Sequence, residues 1–138
     1  PSSYFEDAYM ESPKPMRSLE DVVAQLDETF SEQLLRLIDD QGKTDVEVYK
    51  KANLDRKLFS KIKNNKNYNP SKYTALALSI GLELNLDETK DLLLKAGFAL
   101  SPSSRADLII TYFIQEEVYD IFEINEALFA FKEPLLGA

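Results

Sequence analysis

Apolar residues recur every three or four positions along most of the chain, and turn-forming residues interrupt them at short intervals. No stretch alternates for long enough to make a convincing strand, so the pattern predicts an all-α protein of about seven helices. Order is expected from Ser18. Ser18 and Asp21 resemble a capping box with Asp in place of Glu, and Leu19, Val22, Val23 and Leu26 follow at helical spacing. Thr29 with Glu32 repeats the box, which predicts a break and a restart there. Phe30, Leu34, Leu35, Leu37 and Ile38 give the next helix a wide apolar face, and Gly42 sits where a left-handed C-cap ends it. Thr44 and Glu47 open a short helix from Asp45 to about Ala52, with Val46, Tyr49 and Ala52, or a near variant, as its inner face. Asn53 stands at a sharp turn and tolerates the left-handed region. Asp55 caps the following helix, Leu54 and Phe59 form a hydrophobic staple, and Leu58, Phe59 and Ile62 are expected to point inward.

Residues 64–69, rich in Asn and Lys, read as a loop, and Pro70 with Ser71 starts another helix whose core face is Tyr73, Leu76, Ala77 and Ile80. Gly81 reads as an interruption. Asn85 with Glu88 caps a helix carrying Leu92, Leu93 and Leu94 and stopping at Gly97. Ser104 with Asp107 caps one carrying Leu108, Ile109, Tyr112 and Phe113. Asp120 with Glu123 caps the last, with Ile124, Leu128, Phe129 and Phe131, and Pro134 ends it. Residues 1–17 carry Pro1, Pro13, Pro15, several Ser and mixed charges without any period, and read as a flexible linker. Tyr4, Phe5 and Tyr9 are unusual in a linker and could dock on the domain or on a neighbour.

Charge adds the second signal. Within residues 43–73 nine basic residues (Lys43, Lys50, Lys51, Arg56, Lys57, Lys61, Lys63, Lys66 and Lys72) face three acidic ones (Asp45, Glu47 and Asp55), a net +6 inside a 138-residue chain of net charge −8. Clustered cations on one short element are the footprint of phosphate binding, whereas the acidic remainder of the chain opposes the same partner. The length fits one domain plus a tail. Cys and His are both absent, which removes disulfides, thiolate metal sites, the commonest metal ligand and the commonest general base. No glycine-rich phosphate loop, calcium loop or nucleophile–base motif is present. The paired acids Asp39–Asp40, Glu116–Glu117 and Glu123 with Glu126 read as solvated faces, so no catalytic residue, no metal and no cofactor is expected, and the chain is not expected to be an enzyme. No stretch approaches the roughly 18 apolar residues of a membrane span, and no signal peptide is visible, which fits a cytoplasmic protein without a membrane partner. The start at Pro1 suggests a piece of something longer.

Two short helices joined by a tight turn, the second one cationic, make a helix–turn–helix pattern. A helix that enters the major groove must be short, braced from behind and polar along one stripe. Leu58, Phe59 and Ile62 supply the brace here, and Arg56, Lys57 and Lys61 the stripe. Residues 34–93 resemble a Cro/C1-type, phage-repressor-like helix–turn–helix domain (the XRE family) through Leu35, Ile38, Gly42, Thr44, Glu47, Val48, Ala52, Leu54, Arg56, Phe59, Ile62, Asn64, Pro70, Leu76, Leu78, Leu82 and Leu86. The resemblance implies a five-helix core over about residues 30–98 with a helical extension over 103–133, all within one domain at 18–138. It implies double-stranded DNA as the partner, with Arg56, Lys57 and Lys61 on base-reading positions and Asn64 and Lys66 where phosphates are held. Ser60 and Lys63 complete the candidate DNA-binding set. Asp45 and Asp55 depart from the family pattern, because each would repel a nearby phosphate, although Asp55 is a good N-cap and Asp45 suits the helix dipole. Asn53 replaces the usual Gly.

The segments Asp87–Leu93, Ala96–Ser101, Tyr119–Asn125 and Ala127–Phe129 are similar to the C-terminal part of a group of uncharacterised bacterial proteins. In these the domain is suspected to be an appendage, in some cases after a macro-type domain. No ADP-ribose site is visible in this chain. Three uses of the cation stripe stay open: DNA contact, an acidic protein partner, or solubility alone. Tyr49, Phe59 and Tyr73 are expected to pack in the core, whereas Tyr68 could stack on a nucleotide. Tyr112, Phe113, Tyr119, Phe122, Phe129 and Phe131 fit either a core or an interface, the latter through a homodimer formed by the C-terminal helices or through an N-terminal domain of a parent protein.

Overall fold

The computed structural model describes residues 18–24 and 26–137; the expected linker at 1–17 lies outside them. The described residues form eight helices and no strand: α1 (Leu19–Val23), α2 (Phe30–Asp40), α3 (Asp45–Lys51), α4 (Arg56–Asn64), α5 (Lys72–Gly81), α6 (Leu86–Lys95), α7 (Arg105–Gln115) and α8 (Ile121–Ala130). The described part of the chain is therefore all-α.

Local chemistry sets the starts. Thr29, Thr44 and Asn85 each accept a hydrogen bond from the backbone three residues on, and Glu32, Glu47 and Glu88 reach back to the cap amide, giving three complete capping boxes. Ser18 and Ser71 cap from one side only. The Ser104–Asp107 box is not reciprocal, because the Asp107 carboxylate is committed elsewhere, to Lys72 at 2.5 Å and to the Ser101 amide at 2.8 Å. Glu123 likewise does not reciprocate; Asp120 alone accepts from the amides of Phe122 and Glu123.

The ends share one device. In α2, α3, α5, α6, α7 and α8 a residue at positive φ follows the C-cap: Gly42, Asn53, Glu83, Gly97, Glu117 and Lys132. The next amide then bonds back to the carbonyl five residues earlier, for example Leu84 to Ser79 at 3.1 Å and Leu54 to Tyr49 at 2.9 Å, which is the Schellman closure.

α5 is the axis of the packing. It lies against α3, α6 and α8, while α2 packs on α4 and α6, and α7 on α6 and α8. Seven consecutive α5 residues, Ala75 to Gly81, are buried, as expected of a helix surrounded by others. Gly81 is the last helical residue of α5, where the sequence places an interruption. A Cβ there would stand 2.7 Å from the Val48 carbonyl oxygen and 3.1 Å from the Ala52 Cβ, so the missing side chain is what lets α3 lie against α5. The break comes two residues later, at Glu83 with φ 54°.

The core face of α3 is corrected, and the open faces of α7 and α8 are resolved. In α3 the buried residue is Val48, not Val46, which is exposed, with Ala52 buried and Tyr49 half-buried. In α7 the inward face is Ala106, Ile110 and Ile114, while Leu108 and Tyr112 face solvent and Ile109 and Phe113 are half-buried. In α8, Ile121, Ile124 and Leu128 go inward and Phe129 and Phe131 stay outside. Leu94 is exposed, and α1 buries none of its residues.

Candidate nucleic-acid interface

The turn between α3 and α4 spans four residues and rests on three supports. Asn53 adopts φ 56°, Leu54 is buried one residue before the cap, and Asp55 caps α4 by accepting from the Lys57 amide at 2.6 Å. Phe59 and Ile62 then anchor the back of α4 in the core, with Leu58 half-buried beside them. Phe59 meets the Tyr49 ring of α3 at a centroid distance of 5.5 Å, within the range of a favourable tilted aromatic pair.

The front of α4 is what remains. At about 100° per residue, Lys63, Arg56, Ser60, Asn64, Lys57 and Lys61 fall in that angular order across an arc of about 160°. All six are exposed, as is Lys66 in the following loop. Ser60, Lys61, Asn64, Asn65 and Tyr68 border one hollow of about 490 Å³ at the C-terminal end of α4. Lys66 is placed apart from this group: it lines a second hollow with Asp27, Glu28 and Lys95, and Tyr68 separates the two. Asn65 and Tyr68 join the six by position. Asn65 gave no signal of its own in the Asn-rich run; it also closes the loop by accepting from the Asn67 amide at 3.0 Å, while its carbonyl accepts from the Ser31 hydroxyl of α2 at 3.3 Å.

The nine cations of the basic segment divide in two. Lys63 pairs with Asp45 at 2.7 Å, Lys72 with Asp107, and Lys51 and Lys43 both with Glu83. Lys50, Arg56, Lys57, Lys61 and Lys66 have no acidic partner within 4 Å among the described residues. The out-of-pattern Asp45 is thus matched by Lys63, and Asp55 is occupied as a cap. Among the described residues Arg56, Lys57 and Lys61 therefore remain as the unpaired positive charge of α4.

Glu83 pairs with two lysines of the basic segment, Lys51 and Lys43. Its bond to Lys51, opposed by burial and aided by the charges of Lys51 and Lys43, holds its carboxyl below the ordinary value of 4.5. A lowered folded-state pKa contributes stability that is present above the unfolded value and is lost as pH falls through the folded one. As pH falls below about 4.5 and through the lower folded value, the urea midpoint is accordingly expected to fall, and Glu83→Gln is expected to flatten that part of the profile. An unchanged slope in the variant would exclude Glu83 as a contributor.

Among the described residues no three acidic side chains come together as a metal site would require, and no helix is long and apolar enough to cross a membrane. No protein-family model, no curated protein and no solved structure matches the chain.

Proposed function

We propose that the chain is a DNA-binding module of the helix–turn–helix type, acting as a transcriptional regulator or as the DNA-binding part of a larger bacterial protein, with α4 in the major groove. The observation that carries this reading is the division of α4 into an anchored back, Phe59 and Ile62, and an exposed front. That front holds Arg56, Lys57 and Lys61, which have no acidic partner among the described residues, beside the hydrogen-bonding side chains Ser60 and Asn64. Arg and Lys there would meet phosphates and guanine edges, and Asn64 would meet a base or a phosphate. The XRE-like pattern of the sequence supports the same assignment. Lys63, tied to Asp45, and Lys66, in the neighbouring hollow, are the weaker members of the set.

The test is fluorescence anisotropy of the full chain against a random duplex, titrated from low to physiological salt. Because each phosphate contact releases condensed counterions, affinity is expected to fall with a log–log slope of about −3 to −4 for three to four contacts. Lys57→Glu/Lys61→Glu is expected to abolish binding while leaving the fold intact, since both side chains are exposed. Absence of binding even at low salt would contradict the reading.

A second reading is favoured by a separate observation. Leu108, Ile109, Tyr112, Phe113, Ala127 and Phe131 line an apolar hollow of about 320 Å³ on α7 and α8, with Leu108, Tyr112 and Phe131 each more than half exposed. An exposed apolar patch of this kind suits a protein partner, either a second copy of the chain or another domain. The repressor-like core would then be a docking scaffold.

A further inference from the structure

The chain does not trail away after α8. Lys132 takes φ 58° and turns it back; Glu133 sits 3.4 Å from Arg105; Leu136 is then fully buried although its neighbour Leu135 is about half exposed. One side chain grips Leu136 at both ends of its backbone. The Leu136 amide donates to Asn125 Oδ1 at 2.7 Å, and Asn125 Nδ2 donates to the Leu136 carbonyl at 2.9 Å. This doubly bonded hold delivers Gly137 against Asn53, the left-handed residue of the turn between α3 and α4. Gly137 itself has φ 79°, and a Cβ on it would stand 2.4 Å from the Asn53 carbonyl oxygen and 2.8 Å from the Asn53 Cβ. Asn53 Nδ2 also points to the Leu136 carbonyl, at 3.5 Å.

We propose that segment 134–137 is a brace that sets the α3–α4 turn, with Asn125 as its positioning residue, so that the C-terminal extension governs how α4 is presented. The physical need is plain. Asn53 carries a side chain in a region where non-glycine residues are disfavoured, and such a conformation persists when its surroundings hold it from several sides. The hydrogen bonds of the Asn53 and Leu54 amides, to Lys50 at 3.0 Å and Tyr49 at 2.9 Å, hold it from the α3 side. The tail holds it from the other. Arg56 and Lys57 follow within four residues of Asn53, so a turn that loosens moves the first turn of α4 with it.

The brace stands on its own geometry; its link to binding rests on the DNA reading proposed above. Two readouts keep them apart. The first is amide hydrogen exchange on the full chain. In Asn125→Ala and in Gly137→Ala, which disturbs a different atom of the same contact, exchange at Asn53 and Leu54 is expected to rise at least tenfold, with the amides of Leu78 and Leu92 unchanged. Asn125→Asp keeps the acceptor for the Leu136 amide and loses the donor, so it is expected to fall between wild type and Asn125→Ala. The second is duplex affinity by anisotropy, expected to drop at least fivefold in Asn125→Ala and Gly137→Ala although neither residue lies on α4. Unchanged exchange at Asn53 and Leu54 would overturn the brace. Faster exchange with unchanged affinity would overturn its control of α4. A wild-type chain that binds no duplex would end the DNA reading, and the exchange arm would then decide the brace alone.

Discussion

Gly81→Ala is expected to destabilise the protein by about 3 kcal/mol, although the same change in an exposed helix would stabilise it by about 1 kcal/mol through helix propensity. The sign reverses because of what the new Cβ meets. Its nearest neighbour would be the Val48 carbonyl oxygen at 2.7 Å, a backbone atom inside α3 with no rotamer to yield, followed by the Ala52 Cβ at 3.1 Å and the Ala52 nitrogen at 3.2 Å. Relief requires α3 to move off α5, the central contact of the fold. Ala52 immediately precedes the Asn53 turn, so the displacement reaches α4 as well. Thermal melts are expected to shift down by about 10 °C or more for a chain of this size. A variant that melts within about 2 °C of wild type would show that the α3–α5 contact is softer than the distances imply.

Lys72→Met is expected to cost a further comparable amount, about 3 kcal/mol, by leaving a buried carboxylate without its cation. Asp107 is 1% exposed, accepts from Lys72 at 2.5 Å and from the Ser101 amide at 2.8 Å, and sits in the first turn of α7. Lys72 opens α5, so this ion pair fastens the C-terminal extension to the core. Lys72 keeps a quarter of its side chain in contact with solvent, which puts the effect at the lower end of the range for buried pairs. The double variant Lys72→Met/Asp107→Leu removes both charges and is expected to recover at least half of the loss, because a buried pair is worth little against an apolar pair of similar volume. Urea unfolding of the three variants decides it. A loss below about 0.5 kcal/mol in the single variant would place the pair with ordinary surface ion pairs.

The caps and turns were legible because they are written in adjacent residues. Thr29, Thr44 and Asn85, each three positions before a Glu, state a helix start outright, and Gly42, Asn53 and Gly97 state an end. The back of α4 was legible for a related reason: Phe59 and Ile62 are the centre of its apolar stripe, and charged or polar residues fill the remainder. The misreadings share one cause, a decision taken by distant partners. The run Leu108, Ile109, Ile110, Tyr112, Phe113, Ile114 is apolar almost all round, so periodicity selects no face; the attachment of Asp107 to Lys72 on α5 turns Ile110 and Ile114 inward. Gly81 reads locally as an interruption and does end α5, but only the approach of Val48 explains why no side chain stands there. Glu83, Glu117 and Lys132 close helices in a left-handed conformation without the Gly or Asn that announces one. The tail after Pro134 carries no pattern at all, and its role comes from Asn125 and Asn53, 11 and 83 residues from Leu136 in sequence. The candidate site divides in the same way. Its members on α4 follow from helix geometry, whereas the pairing of Lys63 with Asp45 and the separate placement of Lys66 depend on the tertiary fold.

Amide chemical-shift mapping tests the central claim most directly. The full, isotopically labelled chain would be titrated with a random duplex at low salt and then returned to physiological salt. Shifts concentrated at residues 55–66, reversed by salt and absent from Lys57→Glu/Lys61→Glu, are the expected result. Shifts confined to the apolar hollow of α7 and α8, or none at all, would contradict a nucleic-acid role for α4.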